Sequence, residues 1–158
     1  MDESDLPKSR RALLLVDFVN PLNFPGSENL APRAVAAARA AAKLAAGARA
    51  AGIPVIYAND NFGLWRSDFN TMVKRLEKGG GPSAAILRLL SPKRGDLTML
   101  KPMHSAFFGS PLDIVLDKMG ARSLVISGLA TDICIQLTAA DAFLRGLKSS
   151  GAAGVHRR

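Results

Sequence analysis

Residues 124–146 read LVISGLATDICIQLTAADAFLRG. The segment opens on a short apolar run, 124–127, passes through Gly128, and turns into a helical pattern from about Ile133 to Leu144 that stops near Gly146. Neither face of the run shows polar alternation, which is the pattern of a strand buried on both sides in a parallel sheet. A strand feeding directly into a helix is half of a strand–helix–strand unit.

The same unit recurs toward the N-terminus. Apolar runs at 12–17, 54–58 and 97–100 have the same character, and helical patterns lie between them. Residues 32–51 are mostly Ala with Arg and Lys interspersed, carry Val35 as the one β-branched residue, and end at Gly52, which gives high helix propensity and a C-terminal stop. Phe69, Met72, Val73 and Leu76 follow helical spacing, with Ser67 as the expected cap and glycines from Gly79 as terminator. Leu112, Val115, Leu116 and Met119 repeat it, with Ser110 as cap, Pro111 in the first turn, Asp113 in a capping-box-like position and Gly120 after the end. The Gly-Gly-Gly-Pro at 79–82 reads as a flexible loop. Strand and helix in strict alternation predict an α/β fold, a three-layer open parallel sheet of Rossmann-like type. In such a sheet the ligand site lies beyond the carboxyl ends of the strands.

The chain of 158 residues fits one domain, and its 48% hydrophobic and 22% charged residues suffice for a single core. The one cysteine, Cys134, excludes an internal disulfide framework and points to a reducing, cytoplasmic setting. The first apolar run is cut short by Asp17, so it is neither a signal region nor a membrane span. The formal net charge is +8, yet Arg33, Arg39, Lys43, Arg49, Lys74, Arg75, Lys93 and Arg94 are scattered. That is a solvated surface, and no nucleic-acid or membrane partner is expected.

Three polar residues are then delivered to one rim. Asp17 ends the run at 12–17, Lys101 follows the run at 97–100, and Cys134 lies where the last strand becomes a helix. A thiol in the first turn of a helix meets free N–H groups and the positive end of the dipole, which favour thiolate. An aspartate to take the proton and a lysine to hold the thiolate complete a nucleophile. Each residue alone has a plainer reading: a buried small hydrophobe for Cys134, a turn aspartate for Asp17, a surface lysine for Lys101. A Cys–His pair is the other reading, and it rests on His104, because His156 lies in the tail. No pair of histidines and no second cysteine is spaced for a metal, so neither metal nor cofactor is expected.

LLLVDFVN at 13–20, VIYANDNFGLWRSDF at 55–69, LKPMHSAFFGSPLD at 100–113 and SGLATDICIQLTAADAFLRG at 127–146 together resemble the isochorismatase-like cysteine hydrolases. The resemblance implies a six-stranded parallel sheet and a triad of Asp17, Lys101 and Cys134. It implies a cis peptide between Leu129 and Ala130, with the backbone N–H groups of Ala130 and Cys134 forming an oxyanion hole. It places Phe24, Trp65, Phe108 and Thr131 along the substrate pocket. It further implies hydrolysis of a C–N bond in a small amide, carbamoyl or ureido compound through an acyl-enzyme, and a dimer or tetramer.

Two departures qualify these implications. Nicotinamidases of the family hold a metal with an aspartate and histidines after the second strand, where this chain has Asn59, Asp60, Asn61 and Phe62; nicotinamide is therefore not the expected substrate. The ending LKSSGAAGVHRR at 147–158 is atypical and makes no apolar strand, so the C-terminal strands of the fold are expected to be missing and the 124–127 strand to lie near an edge. The alternative that follows is a catalytically weak or inactive subunit that keeps the fold for binding or assembly.

Overall fold

The four apolar runs form β1 (Arg11–Val16), β2 (Val55–Asp60), β3 (Leu97–Lys101) and β4 (Ser123–Gly128). The computed structural model describes residues 4–129 and 131–151, and the side chains of all of these except Thr131 and Asp132. A fifth strand, β5 (Lys148–Gly151), completes a parallel sheet in the order β3-β2-β1-β4-β5. The strand order reverses direction between β1 and β4. Such a switch point opens a crevice at the strands' carboxyl ends, where α/β folds bind ligands.

The expectation that the C-terminal strands are missing is corrected by β5, a polar strand and not an apolar one. Lys148, Ser149, Ser150 and Gly151 are exposed, so no apolar burial draws the segment in. Backbone pairing does, with Ser123 opposite Lys148 and Ile126 opposite Gly151. Polar strands of this kind belong at sheet edges, where one face of the ladder is wet.

Helices cover both faces. On one side α1 (Ser27–Ala50), α2 (Phe69–Gly79) and α3 (Gly81–Leu90) enclose Leu13, Leu15, Val55 and Tyr57 against Ala34, Ala38 and Ala41 of α1 and Ile86, Leu87 and Leu90 of α3. On the other, α4 (Leu112–Met119) and α5 (Gln136–Leu144) enclose Ala12, Leu14, Val16, Ile56 and Ile126 against Leu112, Leu116, Met119 and Ala142. Full burial of each Leu or Ile contributes about 1.5–3 kcal/mol, so two-sided cover explains the unbroken apolar runs. Among the described residues no helix is long and apolar enough to cross a membrane.

Local details differ from the sequence reading for physical reasons. The glycines at 79–81 form a corner, with Gly80 and Gly81 at φ 68° and 69°, after which α3 runs where a flexible loop was expected. Ser83, Ile86, Leu87 and Leu90 at helical spacing are buried and fix it. Helix α1 starts at Ser27 and carries Pro32 inside, the proline giving up a bond to the exposed Glu28. The cap of α2 is Asp68, not Ser67, accepting from the Thr71 N–H at 2.8 Å. Ser110 accepts from the Leu112 N–H at 3.2 Å, whereas Asp113 pairs with Arg145 at 3.3 Å instead of closing a capping box.

Gly128 ends β4 at the switch point. A Cβ there would sit 2.5 Å from the Val16 carbonyl oxygen and 2.7 Å from Ile135 Cδ1, so only glycine lets β1 and the turn after β4 approach. Gly128→Ala is expected to lower Tm by several degrees, since about 1–3 kcal/mol of overpacking falls on backbone that cannot move aside. An unchanged Tm in a melting scan would contradict the close approach.

Candidate active site

Each strand end supplies one polar group at the same rim. Asp17 follows Val16 in the left-handed region, φ 60°, a conformation that aspartate tolerates better than most residues and that swings its carboxylate away from the strand direction. Asp60 closes β2 and Lys101 closes β3, directly opposite one another in the ladder, so both side chains leave the same face. Cys134 lies in a π turn, Thr131–Ile135, between β4 and α5, one residue pair short of the α-helix the sequence predicts around it. Single π turns within helices concentrate at functional sites.

These groups converge. Lys101 is 0% exposed, and its ammonium contacts Asp17 Oδ2 at 3.1 Å, the Met103 carbonyl at 3.1 Å and Cys134 Sγ at 3.7 Å. It donates to the Met103 carbonyl and to the sulfur, and pairs with Asp17 through charge. The second oxygen of Asp17 accepts from the Asp60 N–H at 2.8 Å. The Asp17 carboxylate acts on the Cys134 thiol as well, through its charge. His104 Nδ1 lies 4.0 Å from the sulfur, on an exposed side chain.

The thiol is not a resting thiolate. Its pKa is pushed up to about 12, first by burial, then by the charge and hydrogen bond of Asp17, against the opposing pull of Lys101. The expectation that the helix start favours thiolate is therefore corrected: the sulfur sits within the apolar cluster beneath α4 and α5, and a carboxylate faces it directly. What results is a thiol held between a buried ammonium and the Asp17 carboxylate.

A model of the isochorismatase domain matches residues 11–150. The chain belongs to the isochorismatase family. It is 34% identical to the isochorismatase-family protein YaaI of Bacillus subtilis over 140 residues, covering 89% of this chain and 76% of that protein. It is 33% identical to the maleamate amidohydrolase of Pseudomonas putida over 146 residues, covering 87% of this chain and 68% of that one. The N-carbamoylsarcosine amidase of Thermoplasma acidophilum superposes with a TM-score of 0.69 at 29% identity, covering 94% of this chain and 86% of that one.

Within this isochorismatase-family site, other residues hold the polar groups in place. The buried Asn59 side chain accepts from the Val19 N–H at 2.9 Å and donates to the Val19 carbonyl at 2.8 Å, stitching the loop after β1 to the end of β2. Thr138, fully buried, donates to the Cys134 carbonyl and accepts from the Ala106 N–H at 3.0 Å, tying the π turn to the loop after β3. Sequence reasoning missed both, and Asp60 as well. The available signal was Asp60 itself, an acidic residue ending an apolar strand as Asp17 does.

Of the residues expected to line the pocket, Trp65 is 76% and Phe108 61% exposed, while Phe24 is half-buried. They stand on the loops after β2, β3 and β1, beyond the carboxyl ends of the strands and outside the core. The Thr131 side chain, the peptide between Leu129 and Ala130, the Ala130 N–H and His156 lie outside the described residues. A cavity of about 520 Å³ opens between the loops after β1 and β2 and helix α2, lined by Pro21, Asn23, Phe62, Leu64, Met72, Arg75 and Leu76. Phe62, whose N–H donates to Asp60 at 2.6 Å, joins this cavity to the polar cluster. Among the described residues no three metal-ligating side chains gather, and Asn59, Asn61 and Phe62 bring no imidazole to Asp60.

The raised thiol has a consequence for stability. Between its ordinary value of 9.0 and about 12, the folded chain keeps a proton that the unfolded chain releases, so this contribution is complete below the lower value and is lost as pH climbs through the upper one. Tyr57, lifted from 10.0 to about 12 chiefly by burial, acts in the same direction. Tm is expected to fall across this alkaline range, and less steeply in Cys134→Ala; parallel slopes would contradict the raised thiol.

Proposed function

We propose that this chain is a cysteine hydrolase that cleaves the C–N bond of a small amide, carbamoyl or ureido compound. The observation that carries the reading is one buried ammonium in contact with both Asp17, at 3.1 Å, and the Cys134 sulfur, at 3.7 Å. Relatives named maleamate amidohydrolase, ureidoacrylate amidohydrolase and N-carbamoylsarcosine amidase support it.

In the cycle, Asp17 accepts the thiol proton as the sulfur bonds to the carbonyl carbon, and the carbonyl electron pair moves onto oxygen. Backbone N–H groups of Ala130 and Cys134 receive that charge, each donor contributing on the order of 2.7–4 kcal/mol of transition-state stabilisation. The pair returns, the C–N bond breaks, and Asp17 delivers the proton to the departing nitrogen. Asp17 then deprotonates a water whose oxygen bonds to the thioester carbonyl carbon; the C–S bond breaks with its electron pair going to sulfur, and Asp17 returns the proton to that sulfur as the acid leaves. Lys101 holds the Asp17 carboxylate and the sulfur in register throughout. Phe24, Trp65, Phe108 and Thr131 are proposed to contact the substrate.

Ammonia release from a panel of small primary amides, carbamoyl compounds and ureido acids tests the reading. At least one class is expected to turn over, with loss in Cys134→Ala; a panel wholly inert to pure wild-type protein would overturn it.

We also propose a homo-oligomer. Phe143 and Leu144 of α5 are 75% and 77% exposed, and Val125 of β4 is left open beside α1 on a groove of about 550 Å³ floored by Leu13, Ala40, Leu44, Ala48 and Ile53. Exposed apolar area on this scale marks an interaction surface. Light scattering is expected to give a multiple of 16.7 kDa, and the mass of one chain would contradict it.

A further inference from the structure

Four groups face the Lys101 ammonium from four elements: Asp17 after β1, Asp60 at the end of β2, the Met103 carbonyl after β3, and Cys134 in the π turn. His104 faces the sulfur and not the ammonium. Asp60 Oδ2 stands 4.0 Å from Nζ, beyond hydrogen-bond reach but well within that of charge. The reading of the previous section, on which this inference rests, requires Asp17 to become neutral twice per turnover, once holding the thiol proton and once holding that of water. At those moments a fully buried ammonium loses its closest counter-charge, a state that proteins avoid by releasing the proton.

Asp60 is fixed where it stands. Its Oδ1 accepts from the Phe62 N–H at 2.6 Å, with Phe62 held at φ 50°, and its side chain is 30% exposed, so a backbone donor and solvent both meet the carboxylate. Its own N–H fixes Asp17 Oδ1 at 2.8 Å, which leaves Oδ2 for Lys101. We propose that Asp60 is a positioning residue that serves as the standing counter-ion of Lys101, leaving the ammonium a carboxylate within 4.0 Å whenever Asp17 holds a proton. Asp60 itself neither gives nor takes a proton. The thiol proton passes to Asp17 and on to the leaving nitrogen, while the charge pair Asp60–Lys101 persists through both half-reactions.

Asp17→Asn imitates the protonated acid, and Asp60→Asn keeps the oxygen that accepts from Phe62 while removing the charge. Alkylation of Cys134 by iodoacetamide, read by intact mass against pH, reports the thiol in these proteins without any turnover. In the Asp17→Asn, Asp60→Asn double variant the thiolate becomes the one anion beside Lys101. Its pKa is expected to lie at least one unit below that of Asp17→Asn alone, which is about tenfold faster labelling at neutral pH. Asp60→Glu in the same background is expected to restore the single-variant profile. Superimposable profiles for Asp17→Asn and the double variant would overturn the proposal. Should the double variant fail to fold, the comparison of wild type with Asp60→Asn decides it in the same way: a lowered thiol pKa supports the counter-ion and an unchanged one refutes it. An inert amide panel would sink the hydrolase reading and leave these profiles unaffected.

Discussion

Cys134→Ala is expected to lower kcat by about a million-fold, the scale on which enzymes respond to removal of a nucleophile, while the fold survives. The two halves of that statement come from the same geometry. The sulfur is the group at the rim that the proposed cycle bonds to the carbonyl carbon, with Asp17 ready for its proton. Its removal leaves Asp17 and Lys101 still paired at 3.1 Å, so no buried charge is orphaned, and only a few apolar contacts beneath α4 and α5 are lost. Ammonia release gives the first half and a circular dichroism melt the second. A variant that kept more than a hundredth of wild-type turnover would mean that water, not sulfur, attacks.

Asp17→Asn is expected to cost roughly 100- to 10,000-fold, the usual worth of a positioned general base. The asparagine oxygen can still accept from the Asp60 N–H, so the loop keeps its place, but the group that took the thiol proton is gone. The pH dependence carries the signature. Burial and Asp17 together push the thiol up; without the carboxylate the pKa falls, and the variant's activity is expected to rise with pH as thiolate forms unaided. Wild type, with its base in place, is expected to show no such climb. A variant with a flat profile at wild-type level would remove Asp17 from the chemistry.

Most of the fold was legible in the letters because burial on both faces forces apolar runs, as in β1 and β2, and β3 and β4 keep enough of that pattern to be read despite exposed Thr98 and Val125. The rim was legible for the same reason: Asp17 and Lys101 stand out as polar interruptions where strands stop. What the letters hid depends on contacts made only in three dimensions. Strand β5 has no apolar residue and is held by backbone pairing alone. Helix α3 hides behind glycines that read as a loop but act as a corner. Helix position argues for a thiolate at Cys134, and the neighbours that reverse it come from β1 and from the apolar side chains of α4 and α5. Asn59, Asp60 and Thr138 are ordinary polar residues until strand register and the crossover bring them against Val19, Lys101 and the Cys134 carbonyl.

A rapid-quench mass measurement on the wild-type protein with an amide drawn from the hydrolysis panel reaches the centre of the account. The expected result is a transient mass gain equal to the acyl part of that amide, located on the peptide that contains Cys134 and absent from the alanine variant. Ammonia released at full rate with no adduct at any quench time, and equally by the alanine variant, would contradict it.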